Sequence, residues 1–300
     1  MAVEIITTAL VTATAESPAG PYDLTDLETV NDELSIPAND TSNNAFLSRA
    51  ITQASIAIKN YCNRVFQVEA VQDQIYIQQD PYPYQVPGGV FPLQLSRWPL
   101  IDSRPISFTG NTHGSVLVDG IASTAGLEQG DLVFAADGSI PAGAEIANVV
   151  GSNSINLTKA ASSSATGLSM NTGLQVIQTL SVGVTQTLVY GKDFTIDAAK
   201  GWLIRLNPFT AIAQQWEAVP ATVQYQGGYD PIPDDLVDAA LRMVTARFRA
   251  RGRDPVLMAR TQDQGLGTER YWVGAGKGQI GSIPPEVVGI IDNYRVPVIA

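Results

Sequence analysis

Residues 221–236 read Ala-Thr-Val-Gln-Tyr-Gln-Gly-Gly-Tyr-Asp-Pro-Ile-Pro-Asp-Asp-Leu, and this junction decides the fold. The stretch Ala221 to Tyr225 has the β-branched and aromatic content of a strand, which Gly227 and Gly228 stop. Pro233 then opens a helix, because a first helical residue gives up an amide that would be unpaired anyway. Asp234 and Asp235 complement the positive end of the helix dipole. Leu236, Val237, Ala240, Leu241, Val244 and Phe248 form its apolar stripe, and Gly252 and Pro255 end it. The spacing predicts a long helix over 233–251 with Arg247, Arg249 and Arg251 in or near its last turn.

A second long helix is predicted over 43–62, where Leu47, Ala50, Ile51, Ala54, Ile58 and Tyr61 fall at helical spacing and Ser42 or Asn43 can cap. Ahead of it, Val3 to Ala15 reads as an extended arm. A short helix follows, with Thr25 as N-cap, Glu28 completing a capping box, and Leu27, Val30 and Leu34 on one face. Strand-like runs lie at Val65–Val68 and Ile75–Ile77. A proline loop follows (Pro81, Pro83, Pro87, Pro92), carrying or flanked by Tyr82, Tyr84, Phe91 and Trp98. From Gly110 to Gly173 only short apolar runs occur, at Val116–Val118, Leu132–Phe134, Ile146–Val150 and Ile155–Leu157, among Gly, Ser and Asn. They predict a small all-β module. Strands resume at Leu174–Leu180, Thr187–Tyr190, Phe194–Ile196 and Gly201–Leu206, and a last short helix runs from Pro284-Pro285-Glu286 to Tyr294.

The expected fold class is therefore α+β, a helical core packed with an antiparallel sheet, plus an inserted all-β module. The expected division is 1–108 and 174–264 as two parts of one core, 109–173 as the insertion, and 265–300 as a glycine-rich C-terminal arm.

A net charge of −11 argues against a surface that embraces nucleic acid, since phosphate binding needs cations to displace counterions. Any DNA contact must be local, and Arg247, Arg249, Arg251 and Arg253 are the group able to make it, the alternatives being a solvated helix end or ion pairs with a neighbouring subunit. One Cys, Cys62, and one His, His113, cannot supply a zinc site of the usual ligands or a disulfide. His113 sits in a turn-like Asn-Thr-His-Gly without a nucleophile elbow. Asp230, Asp234, Asp235 and Asp238 are explained by the start of a helix. Gly274-Ala275-Gly276-Lys277-Gly278 lacks the spacing and the Ser or Thr of a phosphate loop. Met1 to Gly20 fits neither a signal peptide nor a spanning helix. No catalytic residue, metal, cofactor or membrane role is expected. Tyr271 and Trp272, aromatic in a polar glycine-rich setting, read as interface anchors.

The order of these segments resembles the head-tail connector (adaptor) family of tailed bacteriophages. The resemblance starts with Tyr22-Asp23-Leu24-Thr25 and continues through Ala54 to Phe66, which look like that family's helix ending in a Tyr-Cys corner. Arg104-Pro105-Ile106 resembles its strand entry. Its most specific blocks are Tyr190–Asp197 with Gly201-Trp202-Leu203, and Val223–Tyr229. Ile232–Leu236 and Ile283–Pro297 look like its second helix and its C-terminal end. The stretch 109–173 departs from shorter members.

The resemblance implies a virion protein of the head-tail neck, assembled in the host cytoplasm. It implies a homo-oligomeric ring, usually twelvefold, docked under the portal protein, met by a tail or stopper protein, and lining the channel for genomic DNA. It makes Tyr271, Trp272, Lys277, Ile283, Tyr294 and Arg295 candidates for contact with the portal. Rival readings are another neck or tail-completion protein, and a carbohydrate-binding accessory protein using the aromatic proline loop.

Overall fold

The structure, a computed structural model, describes residues 3–11, 20–77, 92–101, 105–135, 137–181, 183–251 and 283–296. The chain divides into two units, Met1–Ala13 with Gln67–Asp230, and Thr14–Phe66 with Pro231–Ala300.

Among the described residues the first unit holds three sheets. In the first, β1 (Val3–Val11), β2 (Glu69–Ile77), β15 (Ala221–Gly227), β11 (Gln175–Ser181) and β12 (Val184–Leu188) lie in that order, and β4 (Leu100–Ile101) also pairs with β15. Every pairing is antiparallel. Val3 to Val11 is thus an edge strand on β2 and not an arm. β15 alternates buried and half-buried residues along its length, and its inward face joins Val71, Ile75, Val176, Val223 and Tyr225 in one core. A three-stranded sheet of β13 (Phe194–Asp197), β14 (Trp202–Arg205) and β3 (Leu93–Gln94) adds Phe194, Leu203 and Leu93 to that core.

The remaining sheet is built from 107–172, in the order β7 (Val133–Ala135), β10 (Ser164–Thr172), β5 (Ser107–His113), β6 (Leu117–Asp119), β9 (Ser154–Leu157) and β8 (Ile146–Val150). It encloses its own core of Val118, Ile121, Val133, Ile146, Ile155, Leu157 and Met170. Leu132 and Phe134 pack on Ala70 and Leu10, on the face of β2 opposite Val71. The Gln226 side-chain amide donates to the Gly130 carbonyl at 3.0 Å and to the Glu145 carboxylate at 3.3 Å.

In the second unit, α1 (Leu27–Glu33), α2 (Asn44–Cys62) and α3 (Asp234–Arg249) bury Val30, Leu47, Ala50, Ile51, Ala54 and Val244 among themselves. The N-cap of α1 is Asp26, not Thr25, and its carboxylate accepts from the Thr29 amide at 2.7 Å. Asn63 ends α2 in the left-handed conformation (φ 51°), which Asn tolerates better than most residues. α4 (Pro285–Ile291) and a 3-10 turn (Asp292–Tyr294) follow.

The expected α+β class with a helical core is overturned. Among the described residues strand outweighs helix, 35% against 22%, in three sheets and four short helices. The two long amphipathic segments dominate the periodicity of the sequence, but they form a unit with its own small core. The strands Ser107–His113 and Ser164–Thr172 are largely polar and leave little apolar signal, although they pair with each other.

The first sheet turns on one charged group. Asp73 faces the apolar side of β2 with no solvent exposure. Its carboxylate accepts from the hydroxyls of Thr7, Ser96 and Tyr225, each at 2.7 Å, and from the Ser96 amide at 2.8 Å. Thr7 is directly opposite in the register, and Tyr225 is the diagonal neighbour across β15. The Tyr225 oxygen also accepts from the Arg97 amide at 2.9 Å. Arg97 in turn pairs with the buried Glu69 at 2.9 Å. Burial, and then the Asp73 charge, push the Tyr225 phenol well above its ordinary pKa.

Tyr225→Phe is expected to lower stability by about 1.5–3 kcal/mol at pH 7, the worth of a hydrogen bond to a charged group, as read by urea unfolding. Because the phenol's folded pKa is raised, its contribution is complete below about pH 10, where an unfolded tyrosine titrates. It is lost as pH climbs beyond that. The gap between the two proteins should therefore narrow on the alkaline side.

Candidate assembly surfaces

In the second unit, the arginines of α3 meet residues from the start of α2. Arg251 donates to the Asn43 side-chain oxygen at 2.6 Å, and its guanidinium lies 4.9 Å from the centre of the Phe46 ring. Phe46 in turn packs on Phe248, with ring centroids 6.3 Å apart. This explains why Asn43 makes no side-chain cap on α2. Arg49, one turn further along α2, joins Arg247 in lining a small cleft with Phe46, Ala50 and Gln53. Arg49, Arg247, Arg249 and Arg251 form no ion pair with a carboxylate among the described residues, whereas Arg242 is paired with Asp238 at 2.8 Å.

Beside that cleft runs a wider groove of about 500 Å³ between α2 and α3. Its floor is made of small residues, Ala50, Ala54, Ala57, Ala246 and Ala250, with Met243 and Pro284, and its rim carries Gln53 and Arg247. Short side chains at helical spacing on both helices leave the space, because each alanine ends where a leucine would fill.

In the first unit, the loop after β14 is tightly built and apolar at its tip. The Asn207 side chain accepts from the amides of Phe209 and Thr210, at 2.9 and 3.2 Å. The Asn207 amide donates to the Ile212 carbonyl at 2.9 Å, and Ala211 takes a left-handed φ of 55°. Leu206 and Ala213 close the base as a bridge. Phe209 is 94% exposed and Ile212 66%. Val189, also exposed, is tied to the same end of the unit. Its carbonyl accepts from the Asp193 amide, and the Asp193 carbonyl accepts from the Leu206 amide, both at 2.8 Å.

The remaining residues singled out in the sequence are placed as follows. Ile283 is buried. The Tyr294 hydroxyl donates to the Asp235 carboxylate at 2.7 Å, and its ring meets the edge of Phe66 at 6.0 Å. Arg295 lies over Tyr61 at 5.2 Å. Asp235 also accepts from the Leu236 amide at the start of α3. His113 ends a strand and is not in a turn; its Nε2 is 3.0 Å from Asp119, which Asn111 also contacts. Arg253, Tyr271, Trp272, Lys277, Tyr82, Tyr84 and Phe91 lie outside the described residues. Arg49 and the loop at Phe209 were not singled out in the sequence. Arg49 shares the Ala45-to-Gln53 face of α2, and Asn-Pro-Phe-Thr is a turn signature with an aromatic at its tip.

Among the described residues no three His, Cys, Asp or Glu side chains gather as a metal site would require, and no helix is long and apolar enough to cross a membrane.

No family profile and no curated protein matches the chain. Among solved structures, a similar chain comes from the neck of an empty GTA particle computed with C6 symmetry. It is 11% identical, the alignment covers 98% of this chain and 97% of that one, and the TM-score is 0.35. At that level the role must be argued from this chain's own residues.

Cys62 reports on how α4 is held. Its thiol is buried at the end of α2, 3.5 Å from the Ile291 carbonyl, and the Val296 amide donates to the Cys62 carbonyl at 2.9 Å. Burial, partly offset by Arg64, pushes the thiol pKa up to about 11. In the unaltered protein at pH 8, a thiol reagent should label Cys62 only under unfolding conditions. Val287→Asp places a charge at a fully buried position of α4. Labelling should then proceed without denaturant, as followed by mass spectrometry.

Proposed function

We propose that the chain is a non-catalytic structural subunit of the neck of a tailed bacteriophage, a connector that forms a closed ring beneath the portal and joins capsid to tail. The observation that carries this reading is the loop at Phe209. An aromatic side chain held almost wholly in water by a fixed, hydrogen-bonded turn adds little to the core of its own unit, but it suits a contact surface. The sequence blocks that resemble connectors support the same reading.

In this proposal the ring is twelvefold and genomic DNA passes along its axis. An acidic chain lets DNA slide without sticking. Arg247, Arg249 and Arg251, with Arg49, contact either DNA phosphates or the adjacent subunit. The C-terminal part bearing Tyr271, Trp272 and Lys277 meets the portal, and a tail or stopper protein takes the opposite side. Assembly occurs in the host cytoplasm, and the final location is the virion neck.

Native mass spectrometry of the chain, alone and mixed with its cognate portal, tests the proposal. A closed ring, or a subunit joining the portal in a ratio set by the portal's symmetry, is the expected result. A chain that stays monomeric and ignores the portal would overturn it.

A further inference from the structure

We infer that the loop at Phe209 of one copy of this chain seats in the groove between α2 and α3 of a second copy, which makes the self-contact a head-to-tail one. The inference rests on the ring reading and gives it an interface.

Three observations lead to it. The groove, of about 500 Å³, has an apolar floor of small side chains, and pockets of this order accept a few bulky apolar groups. Phe209 and Ile212 are two such groups on a single loop, and no residue from Leu206 to Trp216 is charged. The loop therefore brings no cation against the groove's Arg247 and no carboxylate that must be desolvated.

The electrostatics are also complementary. Arg247 has no carboxylate partner among the described residues, and the face of an aromatic ring carries the negative end of its quadrupole. The turn just after α3 already makes this contact with α2, in Arg251 over Phe46. An incoming Phe209 ring would give Arg247 the equivalent partner.

The inference also settles the type of symmetry. The knob and its groove are different surfaces, so each copy keeps one free half after the first contact. Such a contact propagates to a closed ring or a filament, whereas a two-fold contact would stop at a dimer.

Two single substitutions test this without touching either core. Phe209→Asp removes the knob at an exposed position, and Ala246→Trp fills the groove from an exposed position of α3. Each should weaken self-association by about 30-fold or more, the effect of losing a hot-spot residue. Mixed together, the two variants should form a 1:1 dimer and nothing larger, since only one knob and one groove survive between them.

A disulfide measurement covers weak association. Phe209→Cys and Ala246→Cys proteins, mixed under mild oxidation, should yield the mixed disulfide and little of either homodimer, because a head-to-tail contact does not bring like surfaces together and the buried Cys62 does not compete. If Phe209→Asp forms the same ring as the unaltered chain, or if the mixed disulfide fails to form, the inference is overturned and the ring reading stands. If the unaltered chain neither self-associates nor joins the portal, both fall.

Discussion

The Asp73 carboxylate is the group on which the larger unit depends. It stands on the apolar face of β2, where an unsatisfied charge would be prohibitive, and four donors from three other segments remove that cost. Those donors belong to β1, to the connection after β3, and to β15. A charge there fixes which strands meet and in what register, since a slip of one residue would turn Asp73 outward and leave the Tyr225 hydroxyl buried without it. The apolar residues around it supply most of the gain from burial, but they would tolerate several pairings. The ring of donors tolerates one.

A similar arrangement recurs where the chain turns between the sheets. Asp193 and Arg205, both buried, lie within 3.8 Å of each other, and Asp193 also accepts from the Val189 amide. The block Tyr190–Asp197, read in the sequence as the most family-like part, thus builds a corner of the fold. So does Val223–Tyr229, which contains Tyr225. These two blocks hold the architecture, while the loop at Phe209 lies outside every stretch that carries the resemblance and the groove between α2 and α3 overlaps two of them, at Ala54, Ala57 and Pro284.

This division explains what was legible in the sequence. The helices at 44–62 and 234–249 stand out because their apolar stripes are regular and their ends carry Asn, Pro and Asp. β15 stands out for the same reason at period two. The class of the fold did not, because strands such as Ser107–His113 and Ser164–Thr172 owe their place to pairing and not to composition. Ser164–Thr172 holds only two large apolar residues, and Glu69–Asp73 is broken by the polar groups that later fill the core. The extended character of Val3–Val11 was readable, but its partner lies more than sixty residues away. At the surface, the α3 arginines were legible as a run, while their meeting with Arg49 and Phe46 is tertiary. Ile283 and Tyr294 also make local contacts that their sequence context does not announce, Ile283 being buried and Tyr294 meeting Phe66 and Asp235.

Both units are discontinuous in the chain, and this has a consequence for biogenesis. β1 and β2 leave the ribosome early, yet the strand that completes their core, β15, follows about 150 residues later, on the order of ten seconds of synthesis. α2 waits longer still for α3. The cores that β2 shares with β15, and α2 with α3, are therefore completed late, whereas the sheet of 107–172, contiguous in the chain and with a core of its own, has all its strands earlier. Interleaving the two units along one polypeptide thereby ties the completion of each unit's shared core to a late step of synthesis.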